Sequence, residues 1–200
     1  LDDEYLGENV YLNMINGAKR YVYITTPYLI VDSEMKTALC LAAKRGVDVQ
    51  IITPGIPDKK IVWDLTRSYY PELLSAGVHI YEYTPGFIHS KLCICDDEAA
   101  VTGTINFDYR SLYLHFENAC LFIYNAVVLQ AKMTFCVRRK NPRRSSLKIW
   151  GISKSIEVCS AVSITQSCGY LHRFCKKKSL GTLKQKMSIF ICEAIFSSTD

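Results

Sequence analysis

The sequence predicts an α/β sandwich, a mixed and largely parallel sheet flanked by helices. Three observations predict it. Segments of helical and strand periodicity alternate through residues 1–86. The helical segments are long enough to act as crossovers between parallel strands. After residue 86 the rhythm changes to short strands alone, which brings antiparallel pairing into the same sheet. The composition fits a packed domain: 200 residues, 49% hydrophobic and 22% charged. It excludes a disordered chain, a collagen and a coiled coil. No apolar run is long enough to span a bilayer and no signal peptide opens the chain. Residue 1 is Leu, so the chain reads as a fragment of something longer.

Gly7 to Arg20 carries an apolar stripe of Val10, Tyr11, Met14, Ile15 and Ala18, as a helix does. Tyr21 to Thr26 is β-branched and aromatic and stops at Pro27, a strand. Ser33 is placed to cap a helix that runs to Arg45 and ends at Gly46. Val47 to Thr53 alternates apolar and polar before Pro54-Gly55, a second strand. Asp58 is placed to cap a helix to Ala76, kinked at Pro71 and stopped by Gly77. Val78 to Tyr83 is the next strand, and Thr84-Pro85-Gly86 turns the chain. Lys91 to Cys95, Ala99 to Thr102 and Asn118 to Tyr124 are the short strands that follow.

The net charge of +5 averages two unlike parts. Residues 1–125 carry 10 Lys and Arg against 16 Asp and Glu, while residues 126–200 carry 14 against 3. Of 13 Tyr, only Tyr170 lies beyond 125. A domain boundary is therefore predicted near 125, between a domain of 1–125 and an anomalous basic tail of 126–200. The acidic first part excludes a nucleic-acid backbone as its natural partner, since grooves that hold one are basic. The 9 Cys show no zinc spacing and imply a reducing, cytoplasmic-side compartment. Cys93 and Cys95 read as small apolar side chains on one face of a strand.

The chemistry concentrates in Ile88 to Glu117, where His89-x-Lys91 precedes Asp96 and then Gly103-Thr104-x-Asn106. His89 and Lys91 are two apart at a strand edge and so share a face. A neutral imidazole beside an ammonium group suits attack on an anionic phosphate. The ring nitrogen is the nucleophile, and Lys91 neutralises charge on the phosphoryl oxygens as the transition state forms. Asn106 adds a neutral donor, and Gly103 removes a side chain where the phosphate must approach. The chemistry calls for no metal and no cofactor. The second ring nitrogen needs an acceptor to hold its proton, and Glu117 is the candidate. Asp96, at the far end of the His89 strand, reads as a bonding partner of loop backbone. Arg67, Tyr69 and Tyr70 read as a polar face near a head-group pocket. His79, His115 and His172 read as ordinary surface or core histidines, and Asp97-Glu98 as an acidic turn.

HxKxxxxD followed by G[ST]xN resembles the HKD signature of the phospholipase D superfamily. GENVYLNMIN, YVYITTPYLIVDSEM, GVDVQIITPGIPDKK, TRSYYPELLSAGVHIYEYTPGFIHSK and TINFDYRSLYLHFE together resemble the C-terminal half of bacterial cardiolipin synthases. The resemblance implies a phospholipase D-like fold for residues 1–125. It implies phosphatidyl transfer between two phosphatidylglycerol molecules, through a covalent phosphohistidine, giving cardiolipin and glycerol. It implies a membrane-surface enzyme of the bacterial cell membrane, and carries the catalytic His, Lys and Asp onto His89, Lys91 and Asp96. The family's Gly-Ser-x-Asn stands here as Gly103, Thr104 and Asn106.

Two departures follow. The family carries two such motifs and two N-terminal membrane helices, whereas this sequence has one motif. It therefore reads as one of two half-sites, the second coming from an absent N-terminal half or another copy. A single-motif phosphodiesterase or nuclease acting as a homodimer, and an inactive truncated fragment, are the alternatives. Beyond 125 the family continues in an acidic helix. With AAG for Lys132 and ACT for Thr134, a one-base shift of frame across Lys132 to Cys136 reads Asp-Asp-Phe-Leu, which makes the tail a frameshifted translation. Taken at face value, Arg138 to Arg144 and Lys176 to Lys178 would instead be basic patches for anionic lipid or nucleic acid, and Leu180 to Phe196 an interfacial segment.

Overall fold

A computed structural model of the chain describes residues 5–140 and two backbone segments, 147–149 and 188–193. In chain order the elements are α1 (Leu6–Gly17), β1 (Tyr21–Thr25), β2 (Leu29–Ile30), α2 (Ser33–Lys44), β3 (Asp48–Pro54), α3 (Lys60–Ser68), α4 (Tyr70–Ser75) and β4 (His79–Tyr83). They continue as β5 (Leu92–Cys95), β6 (Ala99–Gly103), β7 (Phe107–Asp108), α5 (Tyr109–Tyr113), β8 (Asn118–Ile123), α6 (Ala126–Lys140), β9 (Leu147–Ile149) and β10 (Ser188–Glu193). The main sheet runs β10-β8-β6-β5-β1-β3-β4-β9.

The sheet is mixed for the reason the sequence gives. Where a helix separates two strands, as between β1 and β3 and between β3 and β4, the pairing is parallel. Where a turn does, β5 and β6 pair antiparallel; β6 and β8, joined through β7 and the short α5, also pair antiparallel, as do β5 and β1. Parallel pairing thus joins β1, β3 and β4 in the crossover half, beside antiparallel neighbours in the same sheet. At the edges β10 lies parallel to β8 and β9 antiparallel to β4.

The period-2 alternation sorts side chains to two cores. Val22, Ile24, Val49, Ile51, Ile80, Cys93, Cys95 and Val101 face α1, α2 and α4, where Tyr11, Ile15, Met35, Leu39, Tyr70 and Leu73 cover them. Tyr21, Tyr23, Ile52, Leu92, Ile94 and Ala100 face the other way and meet Val128 and Phe135 of α6. Cys93 and Cys95 therefore share one buried face, as their spacing predicts. Gly46 and Gly77 stop their helices with φ of +88° and +100°, a conformation costly for any residue with a Cβ.

Several expectations are corrected. Asp32, not Ser33, caps α2: its carboxylate accepts from Met35 N at 2.8 Å. Asp58 does not cap α3, which starts at Lys60 without a side-chain cap. Instead it accepts from Tyr28 OH at 2.6 Å. The segment 58–76 is two helices rather than one kinked helix. The break falls at Tyr69, and Pro71 sits in the first turn of α4, where its missing N–H costs nothing.

The boundary expected at 125 is also displaced. Helix α6 packs on the sheet through Val128 and Phe135, both fully buried, and Phe135 stacks on Tyr23 at 4.8 Å. Lys132 Nζ pairs with Asp97 at 2.6 Å. The packed unit therefore runs to residue 140. Arg143, Arg144, Lys176 to Lys178 and most of Leu180 to Phe196 lie outside the described residues.

Candidate active site

Strand direction gathers the site. Because β5 runs against β1, the residues just before β5 emerge at the C-terminal ends of β1, β3 and β4. The end of β6 and the start of β8 come to the same edge. There His89, Ser90, Lys91, Thr102, Gly103, Thr104 and Asn106 line an open pocket of about 480 Å³.

Lys91 Nζ lies 3.0 Å from each ring nitrogen of His89 and donates to His89 O at 2.9 Å. Burial and the Lys91 charge hold the imidazole below its usual pKa, so it is neutral at pH 7. Burial lowers Lys91 too, opposed by the carboxylates of Glu117 and Asp108. Thr102 Oγ1 donates to Lys91 O at 3.1 Å and fixes the backbone beneath the ammonium group. An uncharged nucleophile and a cation thus face one polar pocket, an arrangement suited to a phosphodiester anion.

Asn106 is half-buried at the pocket and its Nδ2 donates to Ser111 Oγ at 2.9 Å. Ser111 is held in turn by helix α5, whose N-cap Asp108 accepts from Ser111 N at 2.7 Å. The sequence reading missed α5 because five residues show no periodicity. Its signal was Asp108-x-x-Ser111, a side-chain cap three residues before its donor.

Three expected roles change, and Asp96 takes the backbone-bonding role its position suggests rather than the catalytic one the resemblance implies. Asp96 is not at the pocket. It follows β5, whereas His89 and Lys91 precede it, and it accepts from Lys19 N at 2.6 Å, Arg20 N at 2.9 Å and Tyr21 N at 2.8 Å. Burial pushes its carboxyl up, but these donors outweigh that and hold it below the usual range. Gly103 makes room for a strand rather than a phosphate, since a Cβ there would lie 2.2 Å from Asn118 O and 2.5 Å from Ala119 Cα. Glu117 accepts from Thr104 Oγ1 and lies 3.6 Å from His115 Nδ1, so its close partners do not include His89. Arg67, Tyr69 and Tyr70 do not line the pocket: Arg67 pairs with Glu82 at 3.0 Å and stacks on Trp63, while both tyrosines are buried.

Glu8, Asp32 and Glu34 bring their carboxylate oxygens within 4.8 Å of one another, close enough to share a cation. The Tyr113 hydroxyl already binds Glu8 and Asp32, and none of the three carboxylates lines the pocket. Among the described residues, no helix is long and apolar enough to cross a membrane.

Comparison with solved structures defines the fold. Nuc from Salmonella typhimurium, a phospholipase D family member, superposes with a TM-score of 0.58 over 72% of this chain and 90% of its own, at 22% identity. The fold is that of the phospholipase D group. The family described as cardiolipin synthase, PLD-like domain, matches residues 11–136, and the chain belongs to that family. A cardiolipin synthase of Halalkalibacterium halodurans is 50% identical over 118 residues, 58% of this chain and 24% of the relative. An uncharacterized protein of Streptococcus mutans is 57% identical over 144 residues, 72% of this chain and 31% of the relative. The chain therefore spans about a quarter to a third of the length of these relatives.

Proposed function

We propose that this domain supplies one half-site of a phosphatidyl transferase that joins two phosphatidylglycerol molecules into cardiolipin and releases glycerol. The observation that carries the reading is the neutral His89 imidazole with the Lys91 ammonium 3.0 Å away, in an open polar pocket.

In the first step a ring nitrogen of His89 attacks phosphorus. The phosphorus–oxygen bond to the head-group glycerol breaks, and the leaving alkoxide takes a proton from an acid outside this chain's motif. In the second step a hydroxyl of another phosphatidylglycerol gives its proton to that same group and attacks the phosphohistidine, freeing His89. Lys91 and Asn106 carry the charge on the non-bridging oxygens. The second acid fits a second HxK histidine, in another segment of a longer chain or in another copy, and the reaction belongs at a bacterial membrane surface.

The test uses phosphatidylglycerol vesicles with labelled head group, assayed in an intact enzyme that carries this domain. His89→Ala is expected to abolish glycerol release and to remove covalent labelling of the protein. Turnover that survives this substitution overturns the reading. A homodimeric phosphodiesterase is the second reading, favoured by the fold shared with Nuc. Hydrolysis of a short-chain phosphodiester without transfer to an alcohol would select it.

A further inference from the structure

Segments at the sheet edge that carries the pocket hold apolar side chains that the fold leaves in solvent. Ile56 is 45% exposed, Ile61 73%, Phe87 37%, Leu114 55% and Phe116 66%. All five stand in or beside segments that enter or leave the sheet edge carrying His89: the β3–α3 connection, the β4–β5 connection and the stretch between α5 and β8. Gly55 N donates to Tyr83 O at 2.7 Å, which ties the first two segments together. The Phe87 ring lies 5.7 Å from that of His89, and the Asp58 charge acts on His89. Phe116 precedes Glu117, which bonds the pocket residue Thr104.

One exposed isoleucine is ordinary, whereas five large apolar side chains on the segments at one sheet edge, beside a phosphate-type pocket, fit an apolar partner. Lys59 and Lys60, both exposed, lie between Ile56 and Ile61. Lysine is depleted from the cores of protein–protein interfaces. Lysine interleaved with isoleucine and phenylalanine is the pattern of a surface lying in the head-group region of an anionic bilayer. There apolar side chains reach the acyl boundary and ammonium groups sit among phosphates. We propose that Ile56, Lys59, Lys60, Ile61 and Phe87 form the surface by which this domain docks on an anionic phospholipid bilayer, with Leu114 and Phe116 on the opposite bank of the pocket. This rests on the phospholipid reading of the pocket. It adds how such a substrate arrives: the head group enters the pocket while its chains stay in the bilayer.

The test uses the full 200-residue chain and vesicles of phosphatidylcholine, alone or mixed equally with phosphatidylglycerol. Binding to the mixed vesicles is expected, weakening as salt screens the lysines. Ile56→Ser with Ile61→Ser should weaken it about tenfold, in line with the loss of part of two buried side chains. The emission that Ile61→Trp adds to that of Trp63 and Trp150 provides a local readout: the added signal should shift to the blue and be quenched by brominated acyl chains. Vesicle binding is read without turnover, so a failed catalytic reading leaves this result standing. Unchanged binding by the double serine variant overturns the proposal. So does an Ile61→Trp signal that stays solvent-like while the chain binds through its other basic residues, or a double variant that loses self-association instead of vesicle binding.

Discussion

At the scale of residues, the pair His89 and Lys91 sets the pH range of the chemistry. Burial and the neighbouring ammonium both disfavour imidazolium, so His89 gives up its proton below 6.5, its ordinary value. Titration of the His89 ring by NMR is expected to show this. Lys91→Met, by removing the second cause, should move the midpoint up toward 6.5. A midpoint at or above 6.5 in the parent contradicts the account. Asp96 has a different task. Its three backbone donors join the β5–β6 turn to the loop between α1 and β1. Asp96→Ala leaves those donors without their acceptor and should cost about 3 kcal/mol, read as a lower denaturant midpoint. A variant as stable as the parent would deny it that structural role.

At the scale of elements, α6 and the close contact of β6 with β8 decide the second core. Phe135 is fully buried against Tyr23, so Phe135→Ala should cost about 4 kcal/mol by calorimetry or denaturation. A cost within 0.5 kcal/mol, the range of a surface change, would place α6 off the sheet. Lys132 and Asp97 fix the same helix to the β5–β6 turn, where Asp96 and Asp97 both have positive φ. Gly103→Ala forces a Cβ into the β8 backbone and should destabilise by about 2 kcal/mol. Ladder pairing leaves β8 no room to retreat, because Gly103 pairs directly with Ala119.

At the scale of the whole molecule, one buried proton links the helices to pH. Tyr113 of α5 has a single hydroxyl proton, yet it meets Glu8 of α1 and Asp32 at the start of α2. Burial raises the Glu8 carboxyl, relieved in part by the Tyr113 bond and raised further by Asp32 and Glu34, to about 7. The folded state therefore holds a proton between 4.5 and about 7 that the unfolded chain has released. The contribution of Glu8 to stability is expected to be full below pH 4.5 and to be lost as pH rises through 7, by on the order of 2 kcal/mol. Glu8→Gln should flatten that slope in denaturation measured from pH 5 to 8, and an unaltered slope would assign it elsewhere.

Local periodicity and motif spacing are enough to read part of this molecule from its residues. Helix and strand alternation gave β1, β3, β4 and the helices between them. HxK followed by GTxN gave the pocket residues His89, Lys91, Gly103, Thr104 and Asn106. Periodicity could not show β2, β7 or α5, which are too short for a period to register. Nor could spacing tell which end of a strand a side chain serves, or what stands across from it. Contacts across the fold settle which backbone Asp96 joins, that Gly103 makes room for β8, that Glu117 turns to Thr104 and His115, and that Arg67, Tyr69 and Tyr70 are spent on packing and an ion pair. The physical reason is common to all of them. Each role is set by a partner tens of residues away or on the neighbouring strand, and such contacts exist only once the sheet has closed.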